Sequence, residues 1–252
     1  DFGLTSFVIN TYYAKGYKGS YMRLVSQNNP EWKENAFLSG NYLYVANSED
    51  YLKLTGEPIA YWASPAMILA FERGYKLKAV GDTRQGMATM DNSKFLRLWF
   101  EVASDKLGFN CHDKNSAVES EKKWFSYNKG GDFRKWYGNQ EYVVNFENDG
   151  EEIKAIAISR YGSASKRIAS ESEYYKPCIS WSKISMGDIA FRYYPKGFIF
   201  DVAGCCIFYK DEVDMLSDLA FCNSLIAKAI LSILSPTLNY EVGHIASLPN
   251  LV

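Results

Sequence analysis

The strongest constraint on the fold is a stretch near the end of the chain, Asp211–Leu234, whose apolar residues recur every three or four positions. That spacing places them on one face of an α-helix. Four carboxylates between Asp211 and Asp218 complement the positive end of a helix, and Ser235-Pro236 follows where a helix has to stop. The sequence therefore predicts one long helix over Asp211–Leu234.

Short stretches rich in β-branched and aromatic residues precede this helix, with few helical segments between them. Such residues favour strands, and Ser185–Asp188 separates two of the stretches by the length of a hairpin turn. We predict an α+β fold with a mixed or antiparallel sheet, the long helix packed beside it, and a small N-terminal extension before it. The predicted strands are Arg97–Val102, Glu141–Phe146, Ile179–Ile184, Ile189–Tyr194 and Phe198–Tyr209.

The first 80 residues form a separate region in this scheme. They contain strand-like stretches before Val25, a helix beginning near Glu31, and an apolar helix over Pro65–Glu72 that Gly74 stops. The sequence opens on Asp1 with neither a Met nor a signal-peptide layout, so we interpret it as part of a longer protein. We divide the chain into residues 1–80 and residues 81–252.

Composition limits the classes of protein. The 252 residues carry a net charge of −1, so any binding of nucleic acid has to depend on a local basic patch. The five cysteines have no CxxC spacing and there are two histidines, which argues against a disulfide framework or a zinc site and favours a reducing, cytoplasmic setting. We expect no bound metal and, without a run of 18 apolar residues, no membrane partner.

Two segments carry polar and aromatic residues suited to a ligand. Gly81–Val102 opens with glycines that allow close backbone approach, and its Thr, Gln and Arg side chains match the donors and acceptors of base edges. Asp91 or Asn92 can cap a short helix within it. The alternative is an ordinary surface loop before a core strand.

Lys122–Trp136 has a local charge of +4, with aromatic residues between the cations and a Gly130-Gly131 pair at its centre. Cations neutralise phosphates, and aromatic rings pack against sugars or stiffen a loop. The alternative is a solvated hairpin whose rings face the core. Arg160–Lys196 also reaches +4. Glu141–Glu152 has five carboxylates and no cation, so we expect it to face away from DNA.

Four blocks in order, Gly81–Val102, Lys123–Gly150, Ile179–Gly204 and Ser235–Pro249, resemble the target recognition domain of adenine-specific DNA methyltransferases of BREX phage-defence systems, the PglX family. The resemblance implies that residues 1–80 are the tail of a methyltransferase region with a connector, and that residues 81–252 recognise a DNA site. It implies double-stranded DNA, the upstream methyltransferase domain and other phage-defence proteins as partners.

The same resemblance implies a parent protein that methylates adenine N6 using S-adenosylmethionine, with the base flipped out of the duplex. This chain lacks a glycine-rich cofactor loop, an Asn-Pro-Pro-Tyr motif and a P-loop, so we expect neither a cofactor nor catalytic residues here. Asn29-Pro30-Glu31-Trp32 only partly matches the target-amine motif, since Glu31 replaces its second proline.

We expect one face to contact DNA. Arg84, Gln85 and Asn92 can each make two contacts to a base edge, whereas the lysines act as point charges on phosphates. The recognition domain of a fused restriction–modification enzyme, or less directly a carbohydrate-binding module, stays open as an alternative. The candidate DNA-binding residues are Arg84, Gln85, Thr89, Asn92, Lys94, Lys129, Arg134, Lys135, Lys183 and Arg192.

Overall fold

The computed structural model describes residues 5–12, 14–27, 29–109 and 111–250. Contacts within it group residues 1–72 into one unit and residues 73–252 into another. The sequence placed the boundary after residue 80. In the structure, Tyr75–Lys76 pairs with Pro249–Asn250, so the first strand of the second unit is joined to its last.

The first unit contains a small antiparallel sheet and two helices. Strand β1 (Lys18–Met22) pairs with β2 (Leu43–Asn47), helix α1 (Pro30–Leu38) lies between them in the chain, and α2 (Pro65–Arg73) follows. The Asn29 side chain accepts a hydrogen bond from the backbone N–H of Glu31 at 2.8 Å, and Pro30 takes the first helical position. The partial match to a target-amine motif is therefore the cap of a helix.

The second unit holds most of the secondary structure. Its strands are β3 (Tyr75–Lys76), β4 (Gly81–Arg84), β5 (Leu96–Leu98), β6 (Trp124–Asn128), β7 (Tyr142–Asn145), β8 (Cys178–Ser182), β9 (Phe191–Tyr194), β10 (Ile199–Phe200), β11 (Gly204–Tyr209) and β12 (Pro249–Asn250). Its helices are α3 (Asn92–Phe95), α4 (Lys114–Glu119), α5 (Glu147–Tyr161), α6 (Glu212–Cys222), α7 (Leu225–Leu234) and α8 (Val242–Ala246).

Two four-stranded sheets form the frame of this unit. One has the order β10-β6-β7-β5 and is mixed, because β10 runs parallel to β6; the other has the order β4-β11-β8-β9 and is antiparallel. The predicted α+β fold is confirmed, and so is the hairpin of β8 and β9, in which Cys178 pairs with Tyr194. The two halves of the predicted strand Phe198–Tyr209, however, belong to different sheets.

The core lies where the two sheets meet. Phe200 of the mixed sheet packs on Phe208 of the antiparallel sheet, with ring centroids 5.3 Å apart, and on Tyr174 at 5.6 Å. Gly86 belongs to this contact: a Cβ there would lie 1.9 Å from the carbonyl oxygen of Phe200. Its close backbone approach therefore serves the protein's own strand β10, and the expectation that this glycine admits a ligand is wrong.

The long helix predicted over Asp211–Leu234 is two helices, α6 and α7, which meet at a bend of 76°. Asn223 ends α6 because its side chain bonds the backbone N–H and carbonyl of Phe191 on β9, and Ser224 then caps α7. Within the described residues, no single helix has the length and apolarity to cross a membrane. The bent pair meets those criteria only when its two helices are taken together.

The predicted strand Arg97–Val102 is also shorter than expected. Only Leu96–Leu98 pairs in a sheet, with β7, and Trp99–Glu101 forms a 3-10 turn. The Glu101 carboxylate accepts the backbone N–H of Leu98 at 2.7 Å, which takes that donor away from a longer ladder.

Candidate functional site

Asp201, in the turn between β10 and β11, holds together the two segments that the sequence singled out. It is buried, and its carboxylate accepts hydrogen bonds from the Tyr127 hydroxyl at 2.6 Å, the Lys129 ammonium at 2.7 Å and the backbone N–H of Ala203 at 2.8 Å. Tyr127 also donates to the carbonyl of Met87 at 3.3 Å. Burial, followed by the Asp201 charge, raises the pKa of Tyr127 well above its usual value, so its hydroxyl stays a donor.

We call residues 85–91 the first loop and residues 129–139 the aromatic loop. Met87 of the first loop exchanges backbone hydrogen bonds with Phe200 and Val202, on either side of Asp201. Asn128, just before the aromatic loop, donates to the Ser180 hydroxyl at 2.7 Å and accepts from the backbone N–H of Gly130 at 3.1 Å. Both loops are thus fixed to the junction of the two sheets by buried polar contacts.

Three candidate residues of the first segment are exposed or half-buried. Arg84 lies at the surface and pairs with Asp82 at 2.7 Å. The Gln85 side-chain oxygen accepts from the Lys183 ammonium at 3.3 Å, so the structure brings these two candidates together. Asn92 is exposed at the first position of α3.

Thr89 lies inside the protein and supports Asn92. It is buried, and its hydroxyl donates to the side-chain oxygen of Asn92. Asp91 caps α3 by accepting the backbone N–H of Lys94 at 3.1 Å, as predicted. Thr89 is therefore placed to orient a neighbour rather than to contact a ligand.

Arg192 was expected on a DNA-facing hairpin and is instead one of the most buried side chains, with 1% exposure. Its guanidinium points beneath the aromatic loop, where it donates to the carbonyls of Asp132 at 3.4 Å and Arg134 at 3.5 Å and to the Ser182 hydroxyl at 3.1 Å. Burial lowers its pKa. The placement of Arg192 on the surface is wrong: two loop carbonyls and the Ser182 hydroxyl accept from its terminal nitrogens inside the protein, while its Nε is buried without a hydrogen-bond partner.

The other candidates of the aromatic loop differ in access. Lys129 is half-buried against Asp201, and the Lys135 ammonium donates to the carbonyl of Asn223 at 2.8 Å. Arg134 is exposed and lies 3.3 Å from the carboxylate of Glu141. Of these three, Arg134 has the freest side chain for an external partner.

A groove of about 370 Å³ joins the two segments. Asn92 of the first segment and Lys129 of the second both line it. The sequence analysis did not single out Arg97 and Tyr142, because both were assigned to strands. They lie on β5 and β7, where Arg97 is half-buried and Tyr142 is exposed. The groove is lined by Asn92, Ser93, Leu96, Arg97, Leu98, Glu101, Lys129 and Tyr142.

Carboxylates accompany the candidate cations. Glu152 lies 2.6 Å from Lys94, Glu141 lies 3.3 Å from Arg134, and Glu241 lies 3.0 Å from Lys183. The expectation that the acidic run Glu141–Glu152 faces away from this surface is therefore wrong. Exposed pairs contribute only about 0–1 kcal/mol each, so a phosphate can replace such a carboxylate.

The described residues contain no group of three His, Cys, Asp or Glu side chains that could hold a metal ion. Cys205 and Cys206 are buried core residues, as predicted, and burial raises the pKa of Cys205 to about 12. Neither the groove nor a second cavity of about 430 Å³ beside His112 and Lys210 is lined by a glycine of the described chain.

No family model matches the chain. Two curated proteins match it, and each alignment covers 97% of this chain. Both proteins are adenine-specific methyltransferases. The chain is therefore similar to one segment of these adenine-specific methyltransferases.

The two relatives are PglX and BrxX. PglX of Lacticaseibacillus casei (strain Zhang) is 37% identical to the chain over 254 residues, and the chain spans 21% of the full length of PglX. BrxX of Escherichia coli O9:H4 (strain HS) is 34% identical over 249 residues, and the chain spans 19% of it. The chain thus covers about a fifth of the curated relatives it matches.

Proposed function

We propose that residues 73–252 recognise a target site in double-stranded DNA for an adenine-N6 methyltransferase that acts in phage defence. The observation that carries this is the pair of loops fixed on Asp201: the first loop begins at the half-buried Gln85, and the exposed Arg84 and Asn92 flank it at the ends of β4 and α3. Homology to adenine-specific methyltransferases supplies the reaction class. S-adenosylmethionine and the catalytic residues belong to the remainder of the parent protein, and residues 1–72 connect to it.

The roles divide by chemistry and access. Arg84, Gln85 and Asn92 carry paired donors or acceptors that suit guanine and adenine edges. Lys94, Arg134 and Lys183 exchange their carboxylate partners for phosphates. Thr89, Lys129, Lys135 and Arg192 act from inside by fixing the loops, so replacing them disturbs binding through loop geometry.

Salt-dependent binding tests this division. Methylation mapping of DNA exposed to the full-length protein first defines the cognate site, and binding is then measured against a scrambled duplex over a range of salt. Arg84→Ala and Gln85→Ala are expected to cost about 1–3 kcal/mol per lost base contact on the cognate duplex only. Lys94→Ala and Arg134→Ala are expected to weaken binding to both duplexes and to reduce the salt slope by about one each.

Lys114→Ala is the matched control for the lysine variants. Lys114 is likewise exposed and paired, with Asp149 at 2.7 Å, but it lies on α4 and outside the candidate set. Unchanged salt slopes for both Lys94→Ala and Arg134→Ala, or equal cognate preference in wild type and the Arg84 and Gln85 variants, contradict the proposal.

The recognition domain of a fused restriction–modification enzyme would use this surface in the same way, and the two differ in the activity of the remaining polypeptide. Nicking or cleavage of the cognate duplex by the full-length protein would favour it. Exposed aromatic rings also suit a carbohydrate-binding module, but here Arg134 and Lys135 stand between those rings, which favours a phosphate-bearing partner.

A further inference from the structure

The aromatic loop ends in three rings that the protein leaves at its surface. Phe133, Trp136 and Tyr137 are 54%, 52% and 61% exposed. No ring–ring or cation–π contact among the described residues involves any of them. Single exposed apolar side chains are ordinary, whereas three exposed aromatic rings within five residues of one loop concentrate apolar surface where a binding partner can reach it.

The backbone that carries these rings is held in an uncommon conformation. Trp136 has a φ of 74° and Asn139 a φ of 59°, both in the left-handed region. A β-branched or bulky residue takes that conformation only when its surroundings impose it, at a cost of about 1 kcal/mol or more. Here Trp136 is pinned at both ends of its peptide, because its N–H donates to Phe191 at 2.9 Å and its carbonyl accepts from Tyr193 at 2.8 Å.

Contacts from beneath fix the rest of the loop. The Ser182 hydroxyl donates to the carbonyl of Gly131 at 2.7 Å, the Tyr194 hydroxyl donates to that of Asn139, and Arg192 donates to two further carbonyls. Exposed rings on a loop whose backbone is held by these hydrogen bonds are preorganised, so binding through them requires little further loss of conformational freedom.

The residues around the three rings indicate what kind of partner binds there. Arg134 and Lys135 lie between them in the sequence; the exposed Arg134 is paired with Glu141 at 3.3 Å, an exposed pair that a phosphate can replace, and the Lys135 ammonium turns inward to the Asn223 carbonyl. The same loop begins at Lys129, which lines the groove that also contains Asn92. Aromatic rings stack on nucleic-acid bases whatever their sequence, and apolar wedges inserted at a base step unstack it and bend the duplex.

We infer that Phe133, Trp136 and Tyr137 form a wedge that inserts at one base step of the bound duplex, beside the bases read by the first loop. Arg134 holds the adjoining phosphate. Arg192 is a positioning residue, which fixes the wedge from inside. The inference rests on the proposed function and deepens it, because it assigns to the aromatic loop the distortion of DNA rather than the reading of sequence.

The test uses full-length protein and the cognate duplex with 2-aminopurine placed at successive positions, since the fluorescence of this base rises when it is unstacked. Wild type is expected to raise the fluorescence at one step. Trp136→Ala and Phe133→Ala are expected to remove that rise and to lower affinity roughly tenfold each. Because stacking releases no counterions, the salt slope is expected to stay at the wild-type value.

Two further variants keep the result interpretable. Trp136→Phe retains a ring and is expected to restore most of the fluorescence rise, which a change in folding would not do. Val213→Ala truncates an exposed apolar side chain on α6 and is expected to change neither affinity nor fluorescence.

Failure of the inference and failure of the proposed function give different results. If wild type binds no duplex, the proposed function is wrong and the wedge with it. If wild type binds with dependence on Arg84 and Gln85 while Trp136→Ala and Phe133→Ala keep the fluorescence rise, only the wedge is wrong. If those two variants lower the melting temperature of the full-length protein and leave the fluorescence unchanged, the rings pack on another part of the protein, and the wedge is overturned.

Discussion

Single side chains at the junction of the two sheets fix the geometry of the candidate site. Asp201 is a buried carboxylate that both loops share, through Tyr127 and Lys129. A buried acceptor of this kind is stable only while its donors remain, because an unpaired charge or hydroxyl in the interior costs more than a hydrogen bond contributes. The geometry of both loops therefore depends on the hydrogen bonds of Asp201 to Tyr127 and Lys129.

Replacing Tyr127 by Phe tests that role. The ring stays in the core, while the donor to Asp201 and Met87 is lost, so we expect a loss of about 1–2 kcal/mol in the free energy of unfolding. Urea denaturation measures it, with Tyr137→Phe as the control, since Tyr137 is exposed and should change stability by less than about 0.5 kcal/mol. Equal stability of the two variants would show that Asp201 does not depend on this hydroxyl.

A second buried carboxylate, Asp218 on α6, predicts a dependence of stability on pH. Burial raises its pKa, against the opposing effects of Tyr209 and Asn250, and Asp214 raises it further. The folded protein therefore binds this proton more tightly than the unfolded chain does. Stability falls as pH rises from the usual Asp value, about 3.9, through the raised folded value.

Asp218→Asn removes this titration. The amide keeps an oxygen for Asn250 and offers an N–H towards Tyr209. We expect the melting temperature of the variant to exceed that of wild type at pH 7, and the difference to shrink below about pH 4. Thermal melts between pH 3 and pH 8 check it. A variant that is less stable than wild type at pH 7 would mean that the folded protein needs the charged carboxylate.

At the scale of secondary structure, the break between α6 and α7 connects the helices to the candidate site. Asn223 bonds both backbone groups of Phe191 on β9, and its own carbonyl accepts from Lys135 of the aromatic loop. The residue is buried, so these bonds have no water to replace them. The bend thus joins β9 and the aromatic loop to the start of α7.

Asn223→Ala is expected to lower the free energy of unfolding by about 2–3 kcal/mol, because it removes the acceptor of the buried Phe191 N–H and one of the two donors to the Phe191 carbonyl, which still accepts from the Trp136 N–H. Chemical denaturation measures the loss. Ser224→Ala, which removes only the cap of α7, is the comparison and should cost about 1 kcal/mol. A smaller loss for Asn223→Ala than for Ser224→Ala would show that local helix geometry, and not the contact with β9, sets the bend.

The same elements show what sequence can and cannot predict. Alternation located β7, β8 and β9, and the Asp91 cap was predicted, because these patterns act over a few residues. The break at Asn223 was missed, since its cause is a contact with a strand far away in the chain. The separation of β10 from β11 was missed for the same reason: pairing partners, not the strand's own residues, decide which sheet it joins.

The sequence predicted which segments form the candidate site, but not which of their side chains are exposed. Composition marks Arg and Lys as candidates, yet the terminal nitrogens of Arg192 donate to loop carbonyls and Lys129 donates to Asp201. A cation that is isolated in the sequence can thus have partners brought by other strands. The clearest signal that was available is the Gly-rich, aromatic segment after Lys122, whose exposed half forms the aromatic loop.

At the scale of the whole molecule, the two units differ in how much apolar surface they bury. Among the residues of the first unit that the structure describes, the buried apolar ones are Ala36, Tyr51, Leu54, Ala60 and Ala70, whereas side chains such as Trp32 and Phe37 are exposed. A core of this size supplies little of the free energy needed to order the backbone. The second unit has the large aromatic core between its sheets and provides most of the stability.

Charge is balanced across the second unit in a way that bears on the proposed DNA contact. The chain has a net charge of −1, and Arg134 and Lys94 are each paired with a carboxylate of the run Glu141–Glu152. The bond from Lys94 lowers the pKa of Glu152, so this carboxylate is ionised at neutral pH. In the proposed DNA complex, both acids would compete with DNA phosphates for the same cations, and they would limit binding to sequences whose base contacts add enough affinity.

Glu141→Gln and Glu152→Gln test this competition in the full-length protein. Each amide keeps the shape of the side chain and removes the charge, which frees Arg134 or Lys94 for a phosphate. We expect each to tighten binding to cognate and scrambled duplexes alike by roughly two- to fivefold, since an exposed pair contributes about 0–1 kcal/mol. The gain should be largest at low salt and fade as salt rises.

Glu119→Gln is the control for net charge, because Glu119 is an exposed acid of α4 outside the pairs described. If it tightens binding as much as the other two, the effect is a general loss of negative charge. If Glu141→Gln and Glu152→Gln leave affinity unchanged at low salt, Arg134 and Lys94 do not meet the DNA backbone.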